Sequence, residues 1–436
     1  MSGEKILIAG AGLGGALLAA RLGMAGHDVE VFERRSDPRN TGLAEGKSIN
    51  LAISTRGFHA LAQIGLERRI LDMAVPMRGR LMHDRQGGTV FQPYGTGKDH
   101  TIKSVSRGGL NLELIRRADE FPNVTFHFDQ ACTGCDPDRP AITLRGPSGQ
   151  TRDAEGDVVV GADGAFSAVR RSLQRRAGFD YSQSYLRQSY KELTIPAAGD
   201  GGYRIDPDVL HIWPRGGFML IALPNLDKSF TVTLFWPPEE YPGLDTGDVT
   251  GFFLEQFPDT VPLMPDLVQD FNDNPTGSLV TVRCDPWHHE GKVLLLGDAC
   301  HAVVPFYGQG ANAAFEDCTV LMDAVLEHPN DMAAAFRSYH LQRKSHVDVL
   351  ADLAIENFQV MSEHVMSRRF LMRKKFDHLL ELLFPAAYLP LYTMISFTRI
   401  PYGDAVRKAE RQNRALGWVV GCIGIVAALS VLAVLL

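Results

Sequence analysis

The chain has 436 residues, with 44 Lys and Arg against 51 Asp and Glu, a formal net charge of −7 and 45% hydrophobic residues. That length allows two or three domains with their own cores, and the acidic balance argues against nucleic acid as a partner. Six scattered cysteines without framework spacing suit a reducing compartment.

Residues 5–10 read as a buried strand, and Lys5 opens it so early that no secretory leader is expected. Gly10-Ala11-Gly12-Leu13-Gly14-Gly15 follows as a turn, residues 16–26 as a helix, and residues 28–33 as a second strand ending in an acid. This is GxGxxG between strand and helix, with Glu33 placed 18 residues beyond Gly15. Gly10 makes the tight turn, Gly12 admits a pyrophosphate, and Gly15 lets helix and strand pack closely. Glu33 suits the hydroxyls of an adenosine ribose. An acid there argues against a 2′-phosphate on that nucleotide, although Arg34 and Arg35 follow directly.

Cys132 and Cys135 form an isolated CxxC with no second pair or His nearby, so no metal site is expected. A redox pair and a chance pair at a strand end both fit. Residues 157–164 read as another buried strand, ending Gly-x-Asp-Gly, with a helix over 167–176. Asp163 then sits at the ligand-binding edge of an open α/β sheet, or serves as a helix N-cap. Residues 211–213, 218–223 and 230–236 alternate as antiparallel hairpins. Ile221 and Leu223 share one face, as do Thr233 and Phe235 on the next strand. Such a sheet either walls a pocket or packs on a core.

Residues 293–296 read as a strand, and 311–326 as a helix. Between them, Asp298 can accept hydrogen bonds from a sugar-alcohol chain. Gly308 and Gly310 let backbone amides approach a ring, and the helix N-terminus favours negative charge on it. An ordinary strand–loop–helix crossover fits the same letters. Residues 330–414 are mostly helical, and 378–397 are apolar but broken by Pro385 and Pro390, as a buried hairpin or a surface-lying helix. Residues 417–436 carry no charge and span about 30 Å as a helix, the thickness of a bilayer's hydrocarbon. With Trp418 at the start and Arg407, Lys408, Arg411 and Arg414 upstream, they predict a transmembrane anchor with the rest of the chain facing the cytoplasm.

Three signals thus occur in order: the GxGxxG turn, Gly161-Ala162-Asp163-Gly164, and Gly297-Asp298-Ala299-x-His301-x-x-x-Pro305. Together they resemble the group A flavoprotein aromatic hydroxylases over residues 5–330. Within that group the chain resembles the kynurenine 3-monooxygenase family at residues 45–54, 77–84, 92–95, 104–107, 305–310, 356–358 and 391–394. The likeness runs almost end to end and includes the hydrophobic tail of membrane-bound members.

The resemblance implies an α/β fold with a Rossmann-like FAD-binding domain (residues 1–75, 100–180 and 281–330) and an inserted antiparallel β-sheet substrate domain (76–99 and 181–280). A C-terminal helical region (331–416) and a C-terminal transmembrane helix (417–436) complete it. It implies that Arg80 and Tyr94 hold a substrate α-carboxylate and that Asn357 and Tyr392 complete the clamp. Ile221, Leu223, Thr233, Phe235, Phe306 and Met361 would line an aromatic pocket. Gly10, Gly12, Leu13, Gly14, Gly15, Phe32, Glu33, Arg34, Arg35, Ala52, Arg107, Cys132, Asp163, Asp298, Gly310, Ala311 and Asn312 would contact FAD. The chemistry agrees, because a fixed guanidinium reads a carboxylate through two parallel hydrogen bonds. Taken singly, Arg80 reads as a surface cation, Tyr94 as a turn aromatic, Asn357 as a solvated helix residue and Tyr392 as core.

The implied activity is hydroxylation of L-kynurenine to 3-hydroxy-L-kynurenine with NADPH and O2, in tryptophan degradation leading to pyridine nucleotides. The cofactor supplies the hard chemistry, so no catalytic side chain and no metal are assigned; His301 reads as structural. The implied location is a membrane, the mitochondrial outer one in a eukaryote or the inner one in a bacterium. Three other readings fit the fold: a hydroxylase of another aromatic such as a quinone precursor, a flavin-dependent reductase of isoprenoid chains, and a non-catalytic FAD-bound membrane protein. The first needs no carboxylate clamp, the second no oxygen, and the third shows no substrate-stimulated NADPH oxidation.

Overall fold

The computed structural model describes residues 3–41, 50–97, 100–241, 244, 247–364, 367–385 and 387–435. The continuous apolar runs Val293–Leu295, Val158–Gly161 and Lys5–Ala9 form the centre of a six-stranded sheet in the order His288–His289, Val293–Leu295, Val158–Gly161, Lys5–Ala9, Asp28–Phe32 and Val124–His127. Every pairing in it is parallel except that of His288–His289. Uninterrupted Val, Ile and Leu suit strands covered on both faces. The helix Leu13–Ala25 packs against Arg107–Asp119 and Gly310–Glu327, in the same apolar core as the sheet.

The alternating runs build a second, seven-stranded sheet. Its order is Gly277–Asp285, Asp180–Ile195, Phe230–Trp236, Met219–Pro224, Val209–Pro214, Gly79–His83 and Thr89–Pro93. Gly79–His83 joins it in parallel, with Arg80 opposite Leu210, and the other pairings are antiparallel. Both faces of this sheet are covered, because successive side chains point to opposite sides. Trp213, Phe230 and Trp236 pack with Phe253 and Phe257 in one core, while Ile212, Met219 and Phe235 join Phe306, Phe358 and Met361 in another. A three-stranded sheet, Asn50–Ile53 with Ile102–Ser106 and Val75–Met77, stands beside it. Asn50 ties the two together by donating to the Pro224 carbonyl at 3.0 Å.

The C-terminal third is helical: Met332–Gln359, Arg368–Leu383, Leu391–Phe397 and Tyr402–Leu435. Here the expected transmembrane segment is corrected. Residues 417–435 continue a helix that begins in the interior, with Tyr402 and Ala405 fully buried. Its first half carries Asp404, Arg407, Lys408, Glu410, Arg411 and Arg414, as an amphipathic helix does. Side chains beyond Trp418, other than Cys422, lie outside the described residues. Among the described residues no helix is long and apolar enough to cross a membrane. That finding overturns the single-pass anchor, the membrane as partner and the membrane location expected from it. Residues 45–49 of the family-like segment also lie outside the described residues.

Candidate functional site

The glycine turn is built for close backbone approach. Gly10 has φ +100°, and a Cβ there would stand 2.6 Å from the Ala162 carbonyl oxygen. A Cβ on Gly15 would run into the Gly10 carbonyl, whereas Gly12, the N-cap of Leu13–Ala25, has open space on that side. Gly14 packs on Leu296, and Leu13 is buried. Phe32 is buried and stacks on His127, with centroids 4.7 Å apart. Glu33 accepts from the Ala11 N–H at 2.9 Å and from the Arg35 N–H and Nε at 3.0 and 2.8 Å. Burial pushes its carboxyl up, but Arg35 and the backbone donors hold it below the usual carboxylate range. Three of its four acceptor positions are filled, leaving one for a sugar hydroxyl. Arg34 is exposed.

Asp163 caps a helix and keeps one oxygen spare. Its Oδ2 accepts from the N–H groups of Ala168 and Val169 at 2.6 and 3.3 Å, as a helix cap does. Its Oδ1 is buried without a hydrogen-bond partner, and burial raises its pKa. An orphaned carboxylate oxygen suits a donor from a bound ligand. Cys132 lies in the flanking strand Ala131–Asp136, half-buried, with its thiol pushed up by burial and its Sγ 3.4 Å from the Gly134 carbonyl. Arg107 is exposed at the start of Arg107–Asp119.

The 297–312 loop faces Asn50–Ile53. Gly308 has φ +67°, and a Cβ there would meet the Ala52 Cβ at 3.1 Å. Asp298 is exposed just after Val293–Leu295. Gly310 and Ala311 open the helix Gly310–Glu327. Asn312 is fully buried, and its amide is spent on the protein: it donates to Ala52 and Gly308 carbonyls at 2.8 and 2.9 Å and accepts from the Ser54 N–H at 2.9 Å. Its side chain therefore shapes the cradle, and only its backbone is left for a ligand. The open Gly12, the unpaired Asp163 oxygen and the Gly308–Ala52 approach fit a dinucleotide that ends in a flat ring.

Beside this cradle, Arg80, Tyr94 and Tyr392 come together from three distant segments. Tyr94 and Tyr392 stack with centroids 5.5 Å apart, and the Arg80 guanidinium lies 5.7 and 4.9 Å from their rings. Tyr307 stacks on the other neighbour, Tyr392, at 5.7 Å. Arg80 is 8% exposed, its Nε has no partner, and no carboxylate pairs with it among the described residues. Burial acts against its charge, and Tyr392 and Tyr94, both pushed further toward the neutral phenol by burial, offer it no counter-charge at neutral pH. A buried cation without a counter-ion is costly and favours an incoming anion.

An apolar wall adjoins this cation. Ile221 opposes Thr233 and Met219 opposes Phe235 across the strand pair. Phe235 meets Phe306 edge-on at 4.9 Å, and Phe306 meets Phe358 at 4.6 Å. Met361 is buried in that cluster, while Leu223 packs with Tyr94. Asn357 donates to the Phe306 carbonyl at 2.6 Å and to the Met361 sulfur at 3.3 Å, so it holds this wall instead of pointing at Arg80. Sequence reading missed Phe358 and the stacking of Tyr307. The spacing Ala354, Phe358, Met361 is the helical signal that could have found the first.

Comparison with known proteins gives the family and the fold. A model described as an FAD binding domain matches residues 4–354. Kynurenine 3-monooxygenase of Salinispora tropica is 44% identical over 99% of this chain and 96% of its own length. The enzyme of the same name from Sus scrofa is 41% identical over 98% and 91%. Crystal structures of 2-methyl-3-hydroxypyridine-5-carboxylic acid oxygenase (TM-score 0.69, 21% identity, 87% of this chain and 98% of that one) and of Pseudomonas aeruginosa PqsL with 2-aminobenzoylacetate (0.68, 21%, 86% and 99%) share the fold. With FAD as its cofactor and the hydroxylase fold around it, the chain belongs to the kynurenine 3-monooxygenase family.

Proposed function

We propose that this protein converts L-kynurenine to 3-hydroxy-L-kynurenine with NADPH and O2. The observation that carries the reading is Arg80: a buried guanidinium with no carboxylate partner among the described residues, flanked by tyrosines and an aromatic-lined wall. A substrate that is both an aromatic ring and an α-amino acid satisfies both halves. In this reading residues 1–75, 100–180 and 281–330 bind FAD, 76–99 and 181–280 bind the substrate, and 331–416 cover the site from the helical side.

Bound FAD would supply the redox chemistry, accepting hydride from NADPH and activating oxygen for insertion into the ring. The chain's own part is positional. Arg80 fixes the α-carboxylate through its planar fork, and the Tyr94 and Tyr392 hydroxyls add donors, so orientation is read along with charge. The substrate amino group activates the ring carbon next to it, and the wall of Ile221, Leu223, Thr233, Phe235, Phe306 and Met361 turns that carbon toward the cradle. Phe306 and its neighbours keep the cradle dry, which limits unproductive release of peroxide. Glu33, Asp163 and the glycine turn would hold the nucleotide end of FAD, and the Gly310 and Ala311 amides would face its ring.

The test is NADPH oxidation by FAD-loaded protein with and without L-kynurenine, following product mass. Strong stimulation with a product one oxygen heavier is expected. Stimulation that yields only peroxide would assign the site to another aromatic, and no stimulation would overturn the kynurenine reading.

A further inference from the structure

Behind the 308–312 turn lies a buried charge cluster that the proposed reaction does not use. The Arg56 Nη1 donates to Glu316 Oε1 at 2.6 Å, and the Arg343 Nε donates to Asp317 Oδ1 at 2.7 Å. Arg343 also pairs with Glu316, and the His301 Nε2 lies 2.5 Å from Asp317 Oδ2. Arg56, His301, Glu316, Asp317 and Arg343 are all buried. Burial pushes both carboxyls up, but Arg343 with Arg56 on Glu316, and His301 with Arg343 on Asp317, hold them below the usual range.

The cluster grips the 297–312 loop at both ends. The Gly297 N–H donates to Asp317 at 3.3 Å, and Arg343 donates to the Ala313 carbonyl at 3.2 Å. Asn312 and Glu316 lie one helical turn apart on a shared face. They fasten Gly310–Glu327 to Ser54 and Arg56, so the gap between Ala52 and Gly308 is set at these two points.

Tyr402, in the first turn of the last helix, closes the cluster. It is fully buried, its ring lies 4.3 Å from the Arg56 guanidinium and 6.0 Å from that of Arg343, and its hydroxyl is 3.5 Å from Gln309 Oε1. The Ile400 carbonyl accepts from the same Arg56. Next to Tyr402, the Gly403 N–H donates to His346 on the helix that carries Arg343, at 3.1 Å. An aromatic face on a desolvated guanidinium holds it in place.

We propose that Tyr402 is a positioning residue for the bound flavin. Its ring fixes Arg56 between Glu316 and Ile400, and through Glu316 it sets the 308–312 turn against residues 52–54. The inference rests on the FAD reading and not on the choice of substrate.

The test compares full-length Tyr402→Leu and Tyr402→Phe. Losing the ring from the buried cation is expected to weaken FAD binding about tenfold by fluorescence titration. It should also raise the peroxide formed per NADPH in the presence of kynurenine, with little change in the KM for kynurenine. Tyr402→Phe keeps the ring and should stay within about threefold of wild type in FAD affinity. A folded Tyr402→Leu protein with wild-type FAD affinity and coupling would overturn the proposal, as would one altered only in kynurenine KM. Should Tyr402→Leu not fold, Arg56→Lys keeps the charge and loses the planar face. The same weakening is then expected, and wild-type FAD affinity would refute it. A wild-type protein that ignores kynurenine would sink the substrate reading and leave the FAD titration intact.

Discussion

Replacing Arg80 by Met separates binding from folding. If Arg80 receives the α-carboxylate through two charge-assisted hydrogen bonds, each contributes about 1.5 kcal/mol net. Losing about 3 kcal/mol raises the KM for kynurenine about 10²-fold. The free protein should respond the other way. Arg80 is a buried cation with an unpaired Nε and no carboxylate partner among the described residues. Removing such a charge is neutral or stabilising. The lost ring contacts at 4.9 and 5.7 Å oppose this by about 1 kcal/mol each. Unfolding temperature should therefore hold or rise slightly while KM climbs. The assay is steady-state NADPH oxidation with product mass, beside a thermal melt. A substrate analogue lacking the α-carboxylate closes the cycle: it should bind weakly to wild type and lose nothing further in Arg80→Met. Unchanged KM with a melt several degrees lower would make Arg80 a structural residue and refute the reasoning.

Other perturbations follow from the same geometry. Gly308→Ala forces a side chain at φ +67° and against Ala52, and should weaken FAD binding about tenfold through about 1–2 kcal/mol of strain, measured by fluorescence titration. Arg343→Met leaves Glu316 and Asp317 buried and under-compensated, so urea unfolding should show a loss of about 3–5 kcal/mol. His83 is buried against His211 at 2.9 Å, and burial and then His211 lower its pKa to about 4. A base depressed in the folded state takes up a proton on unfolding, so stability falls as pH drops from the ordinary value toward 4. Between pH 7.5 and pH 5 that amounts to about 2 kcal/mol. The loss should disappear from urea midpoints in His83→Gln, and an identical pH profile in the variant would refute the assignment.

What the sequence showed was what local sterics dictate. Gly10 and Gly15 stand where a Cβ would collide with backbone, so the spacing of the turn carried its meaning without tertiary information. The apolar runs at 5–10 and 293–296 and the alternation over 211–236 gave strands for the same reason. Arg80 was different. Its neighbours come from parallel pairing with Val209–Pro214 and from a helix some three hundred residues away, and no local pattern encodes that. Only family likeness brought it forward. Asn312 and Asn357 came forward on the same likeness, but their amides hold backbone and sulfur, a distinction between touching a ligand and shaping its site that residue type does not make. The tail misled because a window of uncharged residues was judged apart from the charged, partly buried half-helix to which it is joined.

The Tyr94–Tyr392 stack has a consequence for the order in which the protein becomes selective. A ribosome finishes the glycine turn, the strand that carries Arg80 and the 297–312 loop well before it adds Leu391–Phe397. A chain stopped at residue 390 would hold every residue of the nucleotide cradle and only two walls of the anion trap. In the proposed reading Tyr392 completes the anion trap and Tyr402 then seats Arg56 behind the cradle, so substrate selection and flavin positioning both wait for the C-terminal helices.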